Sequence, residues 1–129
     1  MELITTTTCL AKNIGVNGNM FGGELLSLID VSAAAYASEV CKYPKLVTIK
    51  INELIFKKPI KVGNLIKIYG QVQKIGNTSI TLKIEVRRHN VRTAQQDVVC
   101  ETEITFVKID EDGSPIPINS KVKEKYSNK

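Results

Sequence analysis

The alternation of apolar and polar positions divides this chain into one long helical stretch and several strand-like ones. From 22 to 41, apolar or small residues fall on nearly every side (Leu25, Leu26, Leu28, Ile29, Val31, Ala33, Ala34, Ala35, Ala37, Val40), with Glu24, Asp30 and Glu39 as the charges. A helix that is apolar all round is buried rather than docked along one stripe. Its small residues at 32–35 leave room for a sheet or a partner to come close. After Tyr43 and Pro44 the period changes to two. Val47, Ile49 and Ile51 alternate with Thr48 and Lys50, which predicts a half-buried strand ending near Pro59. Ile66, Ile68, Gly70 and Val72 continue the two-residue period, and Ile80, Leu82, Ile84 and Val86 resume it after the turn chemistry of Ile75, Gly76, Asn77, Thr78 and Ser79. Together they predict a long hairpin. A last strand covers about 98–109, with Ile104 and Phe106 on one face, and the run at 110–115 closes it as a turn. At the other end the Thr-rich residues 3–10 predict a short strand that leads into an irregular stretch, 11–19.

One strand, one long buried helix and then consecutive antiparallel strands make an α+β domain whose sheet must curl around the helix to cover it. At 129 residues the chain fits a single domain, 1–118, followed by a lysine-rich tail at 119–129 that is expected to be flexible.

Composition removes several functional classes. No apolar run approaches the roughly 18 residues that span a bilayer. Glu2 and Lys12 interrupt the start, which lacks the basic and apolar regions of a signal peptide, so a cytoplasmic protein is expected. Cys9, Cys41 and Cys100 are odd in number and form no close pair, which fits reduced, structural thiols. With His89 as the single histidine and no paired-ligand spacing, no metal is expected. Basic residues outnumber acidic ones by 18 to 13, with Lys57, Lys58, Lys61, Lys74, Arg87, Arg88 and Arg92 clustered, which favours an anionic ligand. The absence of Trp, the few aromatics and the lack of a basic recognition helix argue against nucleic acid.

The candidate chemistry lies where a Gly-rich turn meets the long helix. Asn17, Gly18, Asn19, Met20, Phe21, Gly22 and Gly23 run directly into an apolar helix that carries the lone carboxylate Asp30. Free amides at the helix start, aided by the helix dipole, stabilise a developing oxyanion, and Asp30 is the candidate base. Ser27 and Cys41 lack a partner base and a nucleophile-elbow motif. Asp30 lies seven residues after Gly23, roughly 10 Å along the helix. If both act on one carbonyl, the carboxylate must come from a second copy whose helix runs antiparallel, which implies a dimer. The same residues also have plain structural uses: Asp30 as a cap or ion-pair partner, the glycines for close packing, Asn17 and Asn19 as turn formers.

These motifs, together with Val47 and Thr48, Phe56 to Ile60 as FKKPI, Val62 and Gly63, and Gly76, Asn77, Thr78 and Ser79, resemble the hotdog-fold acyl-CoA thioesterases, in particular the short bacterial YciA-type branch. The resemblance covers about 3–117. It implies a hotdog fold, two subunits sharing a continuous sheet, a trimer of such dimers, and hydrolysis of acyl-CoA to a free acid and CoA without a further cofactor. Carried over by residue, Asp30 is the catalytic carboxylate, the Gly22 and Gly23 amides polarise the carbonyl, and Asn17 supplies an amide side chain from the partner. Many relatives carry an additional Asn two positions before Asn17, where this chain has Gly15. The CoA phosphates call for cationic and N–H-rich contacts, assigned to Lys57, Lys58 and the turn Gly76, Asn77, Thr78 and Ser79. The competing reading is a non-catalytic acyl-binding or acyl-CoA-sensing hotdog module, against which the carboxylate at position 30 speaks. A hydratase of enoyl thioesters calls for an Asp/His arrangement that His89 does not supply.

Overall fold

The structure, a computed structural model, describes residues 1–127. Strand β1 (Glu2–Thr8) and a 3-10 turn (Ala11–Asn13) precede helix α1 (Gly22–Cys41). Strands β2 (Leu46–Ile51), β3 (Leu65–Ile75), β4 (Ser79–His89) and β5 (Gln96–Lys108) follow, and helix α2 (Ser120–Ser127) comes last. The five strands form one antiparallel sheet in the order β1-β3-β4-β5-β2, so β1 and β2 are its edges.

Period-two alternation places Ile80, Leu82, Ile84 and Val86 of β4, flanked by Ile66 and Ile68 of β3 and Ile104 and Phe106 of β5, on one fully buried face. Across it lies α1, which touches all five strands and contributes Leu25, Ile29, Ala33 and Ala37. Truncating a side chain such as Phe106 to Ala in this core is expected to cost roughly 3–5 kcal/mol. Each pairing contains a register shift: near Ile4 in β1, Ile49 in β2, Gln73 in β3 and Val99 in β5. Extra residues of this kind bend and twist a sheet, which is how it wraps the helix. At Val99 the shift has a visible signature, since Val99 and its neighbour Cys100 are both buried. The helix ends where Lys42 turns left-handed (φ 53°) and Tyr43 N–H donates back to Ser38 O (3.1 Å), with Pro44 preventing its extension.

Three expectations need amendment. Within one chain α1 is not buried all round: Val31 is 66% exposed and Leu26 is also open, so the core covers one broad face. Strand β2 stops at Ile51 and not near Pro59, and it is not half-buried either, because its place at the sheet edge leaves Val47 and Ile49 exposed, at 40% and 58%. The expected flexible tail at 119–129 contains α2 instead. Asn119 Oδ1 accepts Lys121 N–H (2.8 Å) at the helix start, Val122 is buried, and Val122 and Tyr126, four residues apart, pack against the core. Asn128 and Lys129 of that stretch lie outside the described residues.

Candidate active site

The segment before α1 folds back on itself. Gly15 N–H donates to Asn19 O (2.8 Å), Gly18 takes a left-handed φ of 82°, and Asn17 Oδ1 accepts Asn19 N–H (3.1 Å). Asn17 is therefore a turn former in this chain, with its amide N–H₂ left to the exterior. Met20 N–H donates to Ile60 O (2.6 Å) and Phe21 N–H to Asn13 O (2.7 Å), which pins the turn against the 56–60 loop and aims the helix start.

Phe21 is the N-cap and offers no side-chain cap. The helix ladder opens with Glu24 and Leu25 N–H both donating to Phe21 O, so the Gly22 and Gly23 amides have no partner among the described residues. Bare amides at a helix start form an anion site. The two glycines differ in steric demand. A Cβ on Gly23 would lie 2.7 Å from Cε2 of the Phe21 ring, while one on Gly22 would rest 3.5 Å from the Phe56 ring, an ordinary contact.

A cleft of about 340 Å³ opens at this point, lined by Asn17, Asn19, Met20, Gly22, Leu25, Phe56, Lys57, Lys58, Pro59 and Ile60. It brings together four residues singled out from the sequence: Asn17, Gly22, Lys57 and Lys58. Lys57 is fixed by its N–H to Val99 O (2.7 Å) and by an ion pair with Glu101 (3.4 Å).

Asp30 is elsewhere. It is half-buried on the β2 flank of α1, where Thr48 Oγ1 donates to its Oδ1 at 2.7 Å. Its Oδ2 makes no hydrogen bond among the described residues. Thr48 is the residue that sequence reasoning left without a role. Its signal was a hydroxyl among the apolar residues of an expected strand, but which helix position it meets depends on register: it pairs with Phe106 just before the Ile49 shift.

The turn Gly76, Asn77, Thr78 and Ser79 lies towards the same end of β5 as Thr48, since Ser79 pairs with Val107 and Thr78 O accepts Lys108 N–H. Asn77 is tied to the C-terminal segment, its carbonyl by Ile118 N–H (2.9 Å) and its side chain by Lys123 Nζ (2.8 Å). The candidate residues thus form two groups, Gly22, Asn17, Lys57 and Lys58 at the cleft, and Asp30 with Thr48 on the β2 flank. Lys57 N–H meets β5 at Val99, whereas Thr48 pairs with it at Phe106 and Ser79 at Val107, seven or more residues along that strand.

Other groups are poorly suited to chemistry. Cys9, Cys41 and Cys100 are buried free thiols, and burial above all pushes Cys100 up to about 11. His89 ends β4 with Nδ1 against Gln96 Nε2 (2.9 Å), away from Asp30. Among the described residues no three His, Cys, Asp or Glu side chains come together as a metal-binding group, and no helix is long and apolar enough to cross a membrane.

Residues 17–95 match the sequence profile of the Thioesterase superfamily. The acyl-CoA thioester hydrolase YciA of Salmonella typhimurium is 32% identical over 120 residues, 91% of this chain and 90% of that protein. The chain belongs to the thioesterase superfamily. Its sheet wrapped around α1 is the hotdog fold, and two solved structures share it closely. HI0827, a hexameric broad specificity acyl-coenzyme A thioesterase solved as an Asp-to-Ala mutant, superposes with a TM-score of 0.89 at 30% identity, covering 98% of this chain and 94% of that one. The hexameric thioesterase y2039 from Yersinia pestis gives 0.85 at 33% identity, covering 92% and 96%. This superfamily member thus has the fold that its motifs implied.

Proposed function

We propose that this chain is an acyl-CoA thioester hydrolase whose active site is completed only between two copies. Asp30 of one copy removes a proton from water as it attacks the thioester carbonyl, and the Gly22 and Gly23 amides of the other receive the oxyanion. The intermediate then collapses and expels CoA as its thiolate, with Asn17 beside the Gly22 amide orienting the water or the carbonyl. A thioester needs no covalent enzyme intermediate, because sulfur donates weakly into the carbonyl and leaves readily. Thr48 is a positioning residue, holding Oδ1 so that Oδ2 faces the reaction.

The observation that carries this reading is the separation of the two groups. On α1 the bare amides and Asp30 are about 10 Å apart, beyond hydrogen-bond reach of one carbonyl. Strand β2 offers the means of joining them, being an open edge with exposed Val47 and Ile49 next to Asp30. A two-fold axis through that edge pairs β2 with its copy antiparallel, extends the sheet, and reverses the helices so that each amide pair meets the other's carboxylate. The naming of two close structural relatives as hexameric supports a trimer of such dimers here. Lys57 and Lys58 on one copy and the turn at Gly76, Asn77, Thr78 and Ser79 on the other then flank the substrate, which serves as its own CoA source with no further cofactor.

The test is thiol release from a panel of acyl-CoAs, combined with complementation. Asp30→Asn and Gly23→Val are each expected to be inactive, and co-expressed with distinct tags they are expected to regain activity, because half of the sites in a mixed dimer carry neither lesion. No turnover of any panel member sinks the hydrolase. Turnover without complementation sinks the shared site.

A further inference from the structure

Resting on the hydrolase reading, we infer that a second cleft, on the far side of the 56–65 loop from the first, receives the ribose 3′-phosphate of CoA, with Arg92 as its principal ligand. The clefts share a wall. Pro59 lines the first, its carbonyl accepts Arg88 Nη1 at 2.9 Å, and Arg88 lines the second. The second cleft measures about 540 Å³, within the range of small-molecule sites.

Its charge suits a dianion. Arg88 and Arg92 line it together with one carboxylate, Asp97, which Arg88 Nη2 already binds at 2.9 Å. The Arg88 hydrogen bond and charge hold Asp97 below the usual carboxylate range, and the charge of Lys58 adds to the effect, so Lys58 belongs to the same positive field. Arg92 differs from Arg88 in being uncommitted: its guanidinium has no hydrogen bond or ion pair among the described residues. The tip that carries it is nevertheless held in place. Asn90 Oδ1 accepts Arg92 N–H (2.9 Å) and Thr93 N–H (3.3 Å), Asn90 N–H donates to Gln95 O (2.9 Å), and Ala94 adopts a left-handed φ of 61° that closes the turn. A fixed backbone presenting a free planar fork with several N–H donors suits a phosphate. The side-chain amides of Asn64 and Gln95, residues that line the same cleft, carry further N–H donors.

The order of groups along this path is the order of groups along CoA. Gly22 meets the thioester, the first cleft takes the pantetheine arm, Lys57 and Lys58 face the pyrophosphate, and Arg92 comes last, where the ribose phosphate ends the molecule. Each subunit accordingly holds the nucleotide of the thioester that its own glycines polarise.

The experiment compares the best acyl-CoA of the panel with its 3′-dephospho counterpart on wild type, Arg92→Gln and Arg92→Lys. In the wild type, loss of the phosphate is expected to raise KM about tenfold with kcat unchanged. Arg92→Gln raises KM for the acyl-CoA by the same factor, leaves the dephospho substrate within about twofold, and so erases the discrimination, while Arg92→Lys restores part of it. Equal KM values for the two substrates in the wild type overturn the inference, as does an Arg92→Gln defect of equal size on both. Calorimetry with adenosine 3′,5′-bisphosphate and ADP separates this from the hydrolase reading. Arg92-dependent preference for the bisphosphate without turnover of any thioester keeps the phosphate cleft and removes the hydrolase.

Discussion

Among the described residues two hydroxyl tethers join the sheet to α1, one on each flank, and they differ in what they leave unsatisfied. On the β1 flank Thr5 Oγ1 donates to Ser32 Oγ at 2.8 Å, and Ser32 is buried. On the β2 flank, two residues earlier in the helix, Thr48 donates to Asp30 at 2.7 Å. The first is a neutral pair that satisfies two groups in a closed environment, which is all that packing requires. The second ends in a carboxylate with an oxygen to spare, beside an apolar edge that lacks a neighbour. A neutral partner would hold β2 to the helix equally well, so the fold alone does not call for an acid at this place, and the proposed shared site would give it a use. The two edge strands also differ in composition, with Thr5, Thr6, Thr7 and Thr8 following a single exposed Leu3 on β1, against exposed Val47 and Ile49 on β2.

The widest test of this contrast is Asp30→Asn. General-base removal is expected to lower the rate of acyl-CoA hydrolysis by roughly 10²–10⁴-fold. The thermal unfolding midpoint should change little, because the amide oxygen still accepts from Thr48. A large fall in stability with activity retained would make the β2 tether structural like its counterpart. Ser32→Ala is expected to do the opposite. It strands the Thr5 hydroxyl and costs about 1–2 kcal/mol in denaturant unfolding, while thiol release per folded enzyme stays at the wild-type level.

The smallest effect sharpens the description of the β1 flank as closed. Tyr36 is pushed up to about 12 by burial first and then by the charge and hydrogen bond of Glu2. A phenol whose folded pKa exceeds its unfolded value of 10.0 retains its proton better in the folded state. Its contribution is therefore complete below pH 10 and disappears as pH rises through about 12. Denaturant midpoints between pH 9 and pH 12 should fall more steeply for wild type than for Tyr36→Phe. Equal slopes would show that flank to be open to water.

Much of the architecture could be read from periodicity. The apolar run bounded by Gly22 and Cys41, the period-two segments of β3, β4 and β5, and the turn residues at 76–79 and 110–115 all correspond to observed elements. Helix α2 escaped because Lys and Glu dominate its composition, while the two apolar residues that seat it, Val122 and Tyr126, gain meaning only against the core they meet. Asp30 stood out because a charge inside an apolar helix is expensive unless it has a use, and the glycines because an uncapped helix start exposes amides.

By itself the sequence determined the inventory: one helix, the order of the strands along the chain, a carboxylate and a pair of amides too far apart to cooperate within one molecule. Those are local properties, set by side-chain period, turn chemistry and the rise of a helix. The tertiary structure alone decided that β2 is an edge, that Thr48 is the hydroxyl meeting Asp30, that Phe56 lies beneath Gly22, and that Arg88 joins two clefts through Pro59. Each of these depends on how segments remote in sequence are brought together, and a register one residue different would turn the strand side chains Thr48 and Arg88 to the other face.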